Sequence, residues 1–344
     1  MLDKSGLFMY NKNISRKERA KLTMSESLNE KRLGELIMFV GIPASGKSTT
    51  AKKYEESGYK VLSSDVIRAQ IVENTPIKGE KFFSNHNANV YDFIKKKALI
   101  EVKKGVSVVV DATNLNRKKR KVFIRDFRKI GCEVKCVLFI TSIEVCSSRN
   151  KKREGNAYVP LKEMRKLIKS FECPYYWEGF SEIIPVIDDT RYLFPFEETV
   201  DFSQDNPHHN LTLYGHLCSA RDYAITNGYP DYLVRVCYYH DVGKFYTKTF
   251  ENSRGEITEV AHFYGHENFS AYLYLTEFCC GKNLTKEQFD SILYQTNIIN
   301  FHMRPLNVWS RSENAVEKDI SRYGKTFIDD VRALNKADCL AHKE

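Results

Sequence analysis

Five short runs of apolar, largely β-branched residues punctuate the first half of the chain: LIMFV (36–40), KVL (60–62), VSVVV (106–110), VKCVLFI (134–140) and IIPVI (183–187). Polar stretches with helical periodicity separate them. A strand that is apolar at successive positions is buried on both faces, and strands alternating with helices form a parallel sheet covered on both sides. The pattern predicts an α/β domain over 34–190. After DDTRYLFPFEE (188–198) the texture changes. Aromatic-rich stretches at helical spacing cover 211–226, 230–241, 265–280, 285–301 and 317–341, which predicts an all-α second domain over 197–344, with a linker near 189–200. Residues 1–33 are polar and predict a flexible N-terminal extension.

Composition narrows this picture. A chain of 344 residues suits two domains rather than one. No run is apolar and long enough to span a bilayer, and the first residues lack the apolar core of a secretory leader, so a cytoplasmic protein without membrane contact is expected. Nine cysteines with no C-x-x-C spacing fit free thiols in a reducing compartment. A formal charge of +9 favours a phosphate-rich partner.

The first chemistry-bearing motif is GIPASGKST (41–49), which follows a predicted strand and opens a predicted helix. It fits the phosphate-binding loop G-x-x-x-x-G-K-[ST]. Gly41 and Gly46 let the backbone curl so that its N–H groups face the phosphates, and the helix N-terminus adds its positive end. Gly41, Ser45, Gly46, Lys47, Ser48 and Thr49 are thus the candidate nucleotide contacts, with Lys47 on the transferring phosphates and Ser48 on Mg2+. The expected cofactors are ATP, or another nucleoside triphosphate, and Mg2+. Asp65 and Arg68, in VLSSDVIRAQI, share one helical face at the end of the next strand, where such sheets bind ligands. Asp65 could take a proton from an attacking hydroxyl while Arg68 grips a phosphate of the acceptor. Asp111 ends the strand VSVVVD and could either serve Mg2+ through water or orient the acceptor. Arg149 and Arg153 lie four apart in a basic stretch suited to a lid over the triphosphate. The basic run 117–121 reads first as a solvated helix start, with a nucleic-acid contact and, more weakly, a localisation signal as alternatives.

This order of motifs resembles the phage-type polynucleotide 5′-kinase family over roughly 36–170. GIPASGKST is similar to that family's phosphate loop, SSDVIR to its acceptor segment, DATNLN to its DTNLN segment, and RNKKR to its lid. The resemblance implies that Asp65 is the general base, that Arg68 holds the acceptor's phosphate, that Asp111 helps build the acceptor pocket, and that Arg149 and Arg153 serve the triphosphate. After NLN the family pattern continues with a proline and an acid, whereas this chain has Arg-Lys-Lys-Arg, a difference that falls on the acceptor side.

The second half concentrates histidine. Seven of nine histidines lie between 208 and 302, among them the pair His208 and His209, read as either a pocket cap or a helix-entry turn. Imidazoles with carboxylates suit Mn, Fe, Ni or Zn. Adjacent residues on a helix point about 100° apart, so His240 and Asp241 share a task only if an ion lies off the helix edge. NPHHNLTLYGH (206–216), YYHDVGK (238–244), HFYGHE (262–267), FHMRP (301–305) and KADCLA (336–341) together resemble the HD phosphohydrolase superfamily, most nearly the HD domains attached to tRNA nucleotidyltransferases. The resemblance implies His216, His240, Asp241 and Asp338 as core ligands, with His266 and His302 completing a second metal position and His262 in a supporting place. It also implies that Lys244 and Arg304 hold substrate phosphate.

One half would add phosphate to an acceptor and the other would open or remove phosphate esters. RNA broken by a metal-free nuclease carries a 5′-OH and a 2′,3′-cyclic phosphate. The expected function is therefore RNA end healing, by an ATP-dependent 5′-kinase and a metal-dependent 2′,3′-phosphoesterase, with an RNA ligase acting downstream. Two alternatives stand beside it: a small-molecule kinase fused to a nucleotide phosphohydrolase, and a kinase carrying a non-catalytic HD module that senses nucleotide or binds RNA.

Overall fold

The computed structural model describes residues 32–73, 80–207 and 210–341. The extension predicted over 1–33 falls almost wholly outside the described residues, as do His208 and His209.

The strand expected at 36–40 is β1 (Leu36–Val40), buried at all five positions. Its side chains part by alternation: Leu36, Met38 and Val40 enter the larger apolar core, while Ile37 and Phe39 enter a smaller one on the opposite face. Burying five such side chains contributes on the order of 10 kcal/mol before conformational entropy is subtracted. β2 (Lys60–Ser63), β3 (Val108–Asp111), β4 (Val134–Ile140) and β5 (Glu182–Ile187) complete a parallel sheet in the order β2-β3-β1-β4-β5. α1 (Lys47–Glu56) covers the smaller core through Ala51 and Tyr54. α2 (Ser64–Glu73) follows β2 directly, and α3 (Glu80–Lys103) and α4 (Arg117–Arg128) cover the other face. α5 (Ile143–Asn150) and α6 (Leu161–Ile168) follow β4. Because β1 sits between β3 and β4, the chain reverses direction there, and a crevice opens at the C-terminal ends of the strands.

The second half contains α7 (Leu213–Thr226), α8 (Asp231–Tyr239), the short α9 (Lys244–Thr247), α10 (His266–Cys279), α11 (Lys286–Phe301), the short α12 (Arg304–Asn307), α13 (Glu313–Tyr323) and α14 (Lys325–Leu340). Two expectations are corrected. The single helix predicted over 317–341 is two, divided at Gly324, whose φ of 89° breaks the helical path. The half is also not wholly α. β6 (Thr249–Glu251) and β7 (Ile257–His262) form an antiparallel hairpin, for which the β-branched Ile257, Thr258 and Val260 and the turn at NSRG were the overlooked signals.

The two halves share one continuous apolar core. Trp177, from the first, packs against Phe301, Tyr323 and Phe327 of the second. The Tyr272 hydroxyl donates to the Thr141 carbonyl at 2.5 Å, and Asn300 both accepts from the Cys173 N–H at 2.8 Å and donates to the Phe171 carbonyl at 2.9 Å. The reading of the basic run 117–121 as solvated is corrected at Arg117 and Arg120, while Lys118, Lys119 and Lys121 are exposed. Arg120 is fully buried and bidentate on Glu178 at 2.7 and 2.8 Å, while also donating to the Asn114 and Leu115 carbonyls. Arg117 reaches Asn297 at 3.2 Å and stacks on Phe301. All nine cysteines are free and seven are buried. Among the described residues no helix is long and apolar enough to cross a membrane.

Candidate functional site

Two sites emerge. The first opens at the sheet's crevice as a cavity of about 850 Å3. Residues Ala44 and Gly46 take left-handed backbone angles, φ 65° and 100°, which coil the loop ahead of α1. A side chain at Gly41 would collide with Phe139 and the Ser45 hydroxyl, both 2.8 Å from the position of its Cβ. Ser45 is buried, and Ser48 and Thr49 face the cavity at the start of α1. The Lys47 ammonium folds back on its own loop, donating to the Gly41 and Ile42 carbonyls at 3.0 and 2.6 Å. Burial pushes its pKa down to about 8, against the pull of Asp111; because Lys47 opens into the cavity, solvent screens part of this shift.

Asp65 and Arg68 line the same cavity and pair with each other at 2.7 Å, on the exposed first turn of α2. Asp111 ends β3 beside Ser63, and burial raises its pKa while Lys47 opposes the rise. Arg149 and Arg153 face the cavity too. Arg149 is held by Asp188 at 2.5 Å, and Arg153 donates to the Ala157 carbonyl at 3.3 Å. Three wall residues escaped the motif reading. Tyr91 and Thr141 carry no phosphate-site signature, and Asp188 is visible only as the acid that ends the last strand. Behind the wall, the buried Asn114, with φ 44°, ties the turn after β3 to the Phe39 carbonyl through its amide at 2.8 Å.

The second site is assembled from five separate elements. His216 lies on α7, His240 and Asp241 just past the end of α8, His266 at the start of α10, His302 just past α11, and Asp338 in the last turn of α14. All six are buried. His240 and Asp241 converge because the chain leaves the helix there. Gly243 explains how: a Cβ at this position would lie 2.4 Å from the His266 carbonyl oxygen and 2.6 Å from the Ser270 nitrogen. Only glycine lets the turn seat against the first turn of α10, where its N–H donates to the Ser270 hydroxyl at 2.8 Å.

Two groups of ligand atoms result, each within 4.8 Å of one another: His216, His240, Asp241 and Asp338, and then Asp241, His266 and His302. Asp241 belongs to both and divides its oxygens between them. Its Oδ2 is 3.2 Å from His216 Nε2 and 3.4 Å from His240 Nε2, and its Oδ1 is 3.1 Å from His266 Nε2 and 3.4 Å from His302 Nε2. Asp338 Oδ1 is 3.3 Å from both His216 and His240.

These donors fit metal ions on two counts. Ligands about 2.1 Å from a shared ion, at angles of about 90–110°, lie about 3.0–3.4 Å apart, which is the spacing observed. Moreover, Nδ1 of His240, His266 and His302 each lies 2.8 Å from the carbonyl three residues earlier, so Nδ1 carries the proton and Nε2 turns a lone pair inward. The facing Nε2 atoms of His266 and His302 are 3.1 Å apart, a repulsive approach unless positive charge lies there. The field of the site supplies that demand. Burial would lower the His240 pKa, but Asp241 and Asp338 push it up to about 10, and His266 is raised against its own burial by Asp241. Burial likewise disfavours the Asp241 charge, yet Lys244, His240 and His266 hold its carboxyl well below the usual range.

Lys244 is buried, 2.6 Å from Asp241 Oδ2 and 3.0 Å from Gln204 Oε1. Gln204 was not singled out in the sequence because a lone amide in a loop carries no spacing signal. Arg304 is bidentate on Asp319 and lies over Phe301. His262 stands outside both groups, on β7, bonded to Thr258 and stacked on Tyr264.

The parallel sheet, the coiled loop ahead of α1 and the acid and arginines facing it define the first half as a P-loop kinase-like nucleotide-binding domain. Residues 36–174 match the family model for the AAA domain. The chain is 29% identical over 174 residues to transcription factor bHLH140 of Arabidopsis thaliana, covering 47% of this chain and 17% of that protein. It is 24% identical over 172 residues to the bifunctional polynucleotide phosphatase/kinase of Schizosaccharomyces pombe, covering 49% of this chain and 36% of that one. The chain thus spans well under half the length of these curated relatives. Among solved structures, the Pnkp1/Rnl/Hen1 RNA repair complex is 19% identical over 42% of this chain and 46% of that one, with a TM-score of 0.35, too distant to bear on function.

Proposed function

We propose that the chain is an RNA end-healing enzyme: a 5′-OH polynucleotide kinase joined to a metal-dependent phosphoesterase of HD type that acts on 2′,3′-cyclic phosphate ends. The observation that carries this reading is the shared carboxylate of Asp241, in a chain whose P-loop cavity bears an acid and a cation on its far wall. The relative in fission yeast, named as a polynucleotide phosphatase/kinase, supports the choice of acceptor. The reading divides the chain into a kinase domain over 34–190 and an HD domain over 197–344.

In the kinase half, the Lys47 ammonium leaves its loop carbonyls for the phosphates of the bound triphosphate. Arg149 leaves Asp188 and joins Arg153 over the transferring group, where charge spreads over the phosphoryl oxygens. Asp65 separates from Arg68, accepts the proton of the acceptor's 5′-hydroxyl, and the hydroxyl oxygen bonds to the γ-phosphorus as ADP leaves. Arg68 is then free to grip the acceptor's neighbouring phosphate. Ser48 is placed to hold Mg2+, which screens the β- and γ-phosphates when bound.

In the second half, the ligands would hold one or two Mn, Ni, Fe or Zn ions, which supply a hydroxide at neutral pH and polarise the phosphoryl oxygens. The chain's own part is positional. The three carbonyl-bonded imidazoles fix their tautomer, Asp241 fixes the separation of the two positions, and Lys244 balances its charge beside the substrate phosphate. An RNA ligase acting afterwards would use both products.

Transfer of label from γ-labelled ATP to 5′-OH RNA tests the kinase, and its absence from the wild type removes that half of the reading. Hydrolysis of a 2′,3′-cyclic nucleotide with Mn2+ or Ni2+ tests the other half. His240→Ala is expected to abolish that hydrolysis and leave label transfer intact.

A further inference from the structure

The charge of this protein is not spread over it. The whole chain has 53 Lys and Arg against 44 Asp and Glu, a net +9. Residues 91–129 alone hold 13 Lys and Arg against four Asp and Glu, which is the same +9; the rest of the chain balances to zero. This segment is the C-terminal half of α3, strand β3, and the whole of α4.

The two helices lie side by side. Lys95 pairs with Asp126 at 3.0 Å, and the Tyr91 and Phe123 rings are 6.3 Å apart. Arg117 and Arg120 are used inside the fold, but Lys96, Lys118, Lys119, Lys121 and Lys129 are exposed. Among the described residues, Lys96, Lys118 and Lys121 take part in no ion pair. Aromatic surface is interleaved with them: Phe93 is 48% exposed, with the Lys97 ammonium 5.7 Å from its ring centre. The face also has an origin. Tyr91 lines the kinase cavity on the side of Asp65 and Arg68, and Lys119 sits over its ring at 5.3 Å.

We propose that the α3–α4 face is the track for the body of the acceptor strand, which enters the cavity past Tyr91 and lays its phosphates along Lys119, Lys118, Lys121 and Lys96. The inference rests on the polynucleotide-kinase reading and deepens it, since it makes the acceptor a chain held well beyond its reacting end. A single strand is the occupant the chemistry selects: regularly spaced phosphates match an array of lysines, and a base matches the exposed Phe93 ring among them. A small-molecule acceptor would need none of this surface.

The test is a triple variant, Lys96→Glu/Lys118→Glu/Lys121→Glu, in the full chain, compared with the wild type on a long 5′-OH RNA and on a 3′-phosphorylated mononucleoside. Direct binding of the long RNA is read by fluorescence anisotropy without ATP, across a salt series. Loss of three single-strand phosphate contacts is expected to lower the slope of log K against log salt by about 2 and to weaken binding about 10- to 100-fold near 0.1 M salt. The KM for the long RNA should rise in parallel, while the KM for ATP and the rate on the mononucleoside stay unchanged. An unchanged slope overturns the proposal, as does an equal loss on the long RNA and the mononucleoside. Binding of phosphatidylserine vesicles that exceeds binding of RNA overturns it in favour of a membrane. Absence of phosphoryl transfer to any 5′-OH acceptor, with the salt slope still reduced in the variant, would remove the kinase reading and leave the strand-binding surface standing.

Discussion

Asp241→Asn replaces a carboxylate by an amide of the same shape, and the structure says how much should follow. The carboxylate lies 2.6–3.4 Å from Lys244, His216, His240, His266 and His302. In metal-free protein its loss takes away the counter-charge of the buried Lys244 ammonium, which lies 2.6 Å from the carboxylate. Stranding one partner of a buried pair costs about 3–5 kcal/mol. A loss of about 3 kcal/mol, at about 2 °C per kcal/mol for a chain of this size, lowers Tm by about 6 °C. Metal addition magnifies the difference. An ion at 100 times its Kd stabilises the folded state by about 2.7 kcal/mol, so two positions give the wild type about 5 kcal/mol, or about 10 °C. The variant should gain almost nothing, because both positions share the altered group. Scanning calorimetry in chelator and in Mn2+ measures both shifts, metal content after gel filtration counts the ions, and label transfer serves as the control. A variant that keeps the Mn2+-induced shift refutes the shared-carboxylate geometry, and so does one that loses kinase activity along with it.

Asp65→Asn should slow phosphoryl transfer about 10²- to 10⁴-fold with the ATP Kd unchanged, as rapid-quench and equilibrium binding measurements would show. Because burial pushes Lys47 down to about 8, free protein sheds this proton above that pH while bound triphosphate favours its return. ATP affinity is therefore expected to be level below pH 8 and to fall about tenfold per unit above it; a flat profile by calorimetric titration to about pH 9.5 contradicts the buried-lysine geometry. Arg120→Met removes the bidentate partner of Glu178, which keeps only Arg117 at 3.7 Å and the Tyr175 N–H, and frees the Asn114 and Leu115 carbonyls, so denaturant unfolding should show a loss of about 3 kcal/mol, only partly restored by adding Glu178→Leu.

What the sequence disclosed, it disclosed through local pattern. The apolar run 36–40 is β1, and 134–140 is β4, with the same limits, because a near-continuous apolar run, broken in β4 only by Lys135, marks its own ends. The helix ends near 226, 280 and 301 fell within a residue of the observed ones. GIPASGKST was legible because its glycines and its lysine act within nine consecutive residues. The histidine groups were legible only as an ordered series of segments; their geometry comes from five elements that meet through tertiary packing. What stayed hidden depends on partners distant in sequence. Arg120 looked like one more solvated cation, and its partner Glu178 is 58 residues away. Gly243 carries no motif signal of its own, and its reason is the backbone of His266 and Ser270. The hairpin β6–β7 was missed because an aromatic, helix-rich context on either side outweighed a short β-branched run.

The central claim is that one chain heals both ends of a broken RNA with two separable sites. The most direct measurement is mass analysis of an RNA bearing a 5′-OH and a 2′,3′-cyclic phosphate, after incubation with the protein, ATP, Mg2+ and Mn2+. The account predicts a product phosphorylated at its 5′-end and opened at its 3′-end. Lys47→Ala should change only the 3′-end and His240→Ala only the 5′-end. An RNA recovered with its cyclic phosphate intact, or with its 5′-hydroxyl unmodified, would contradict it.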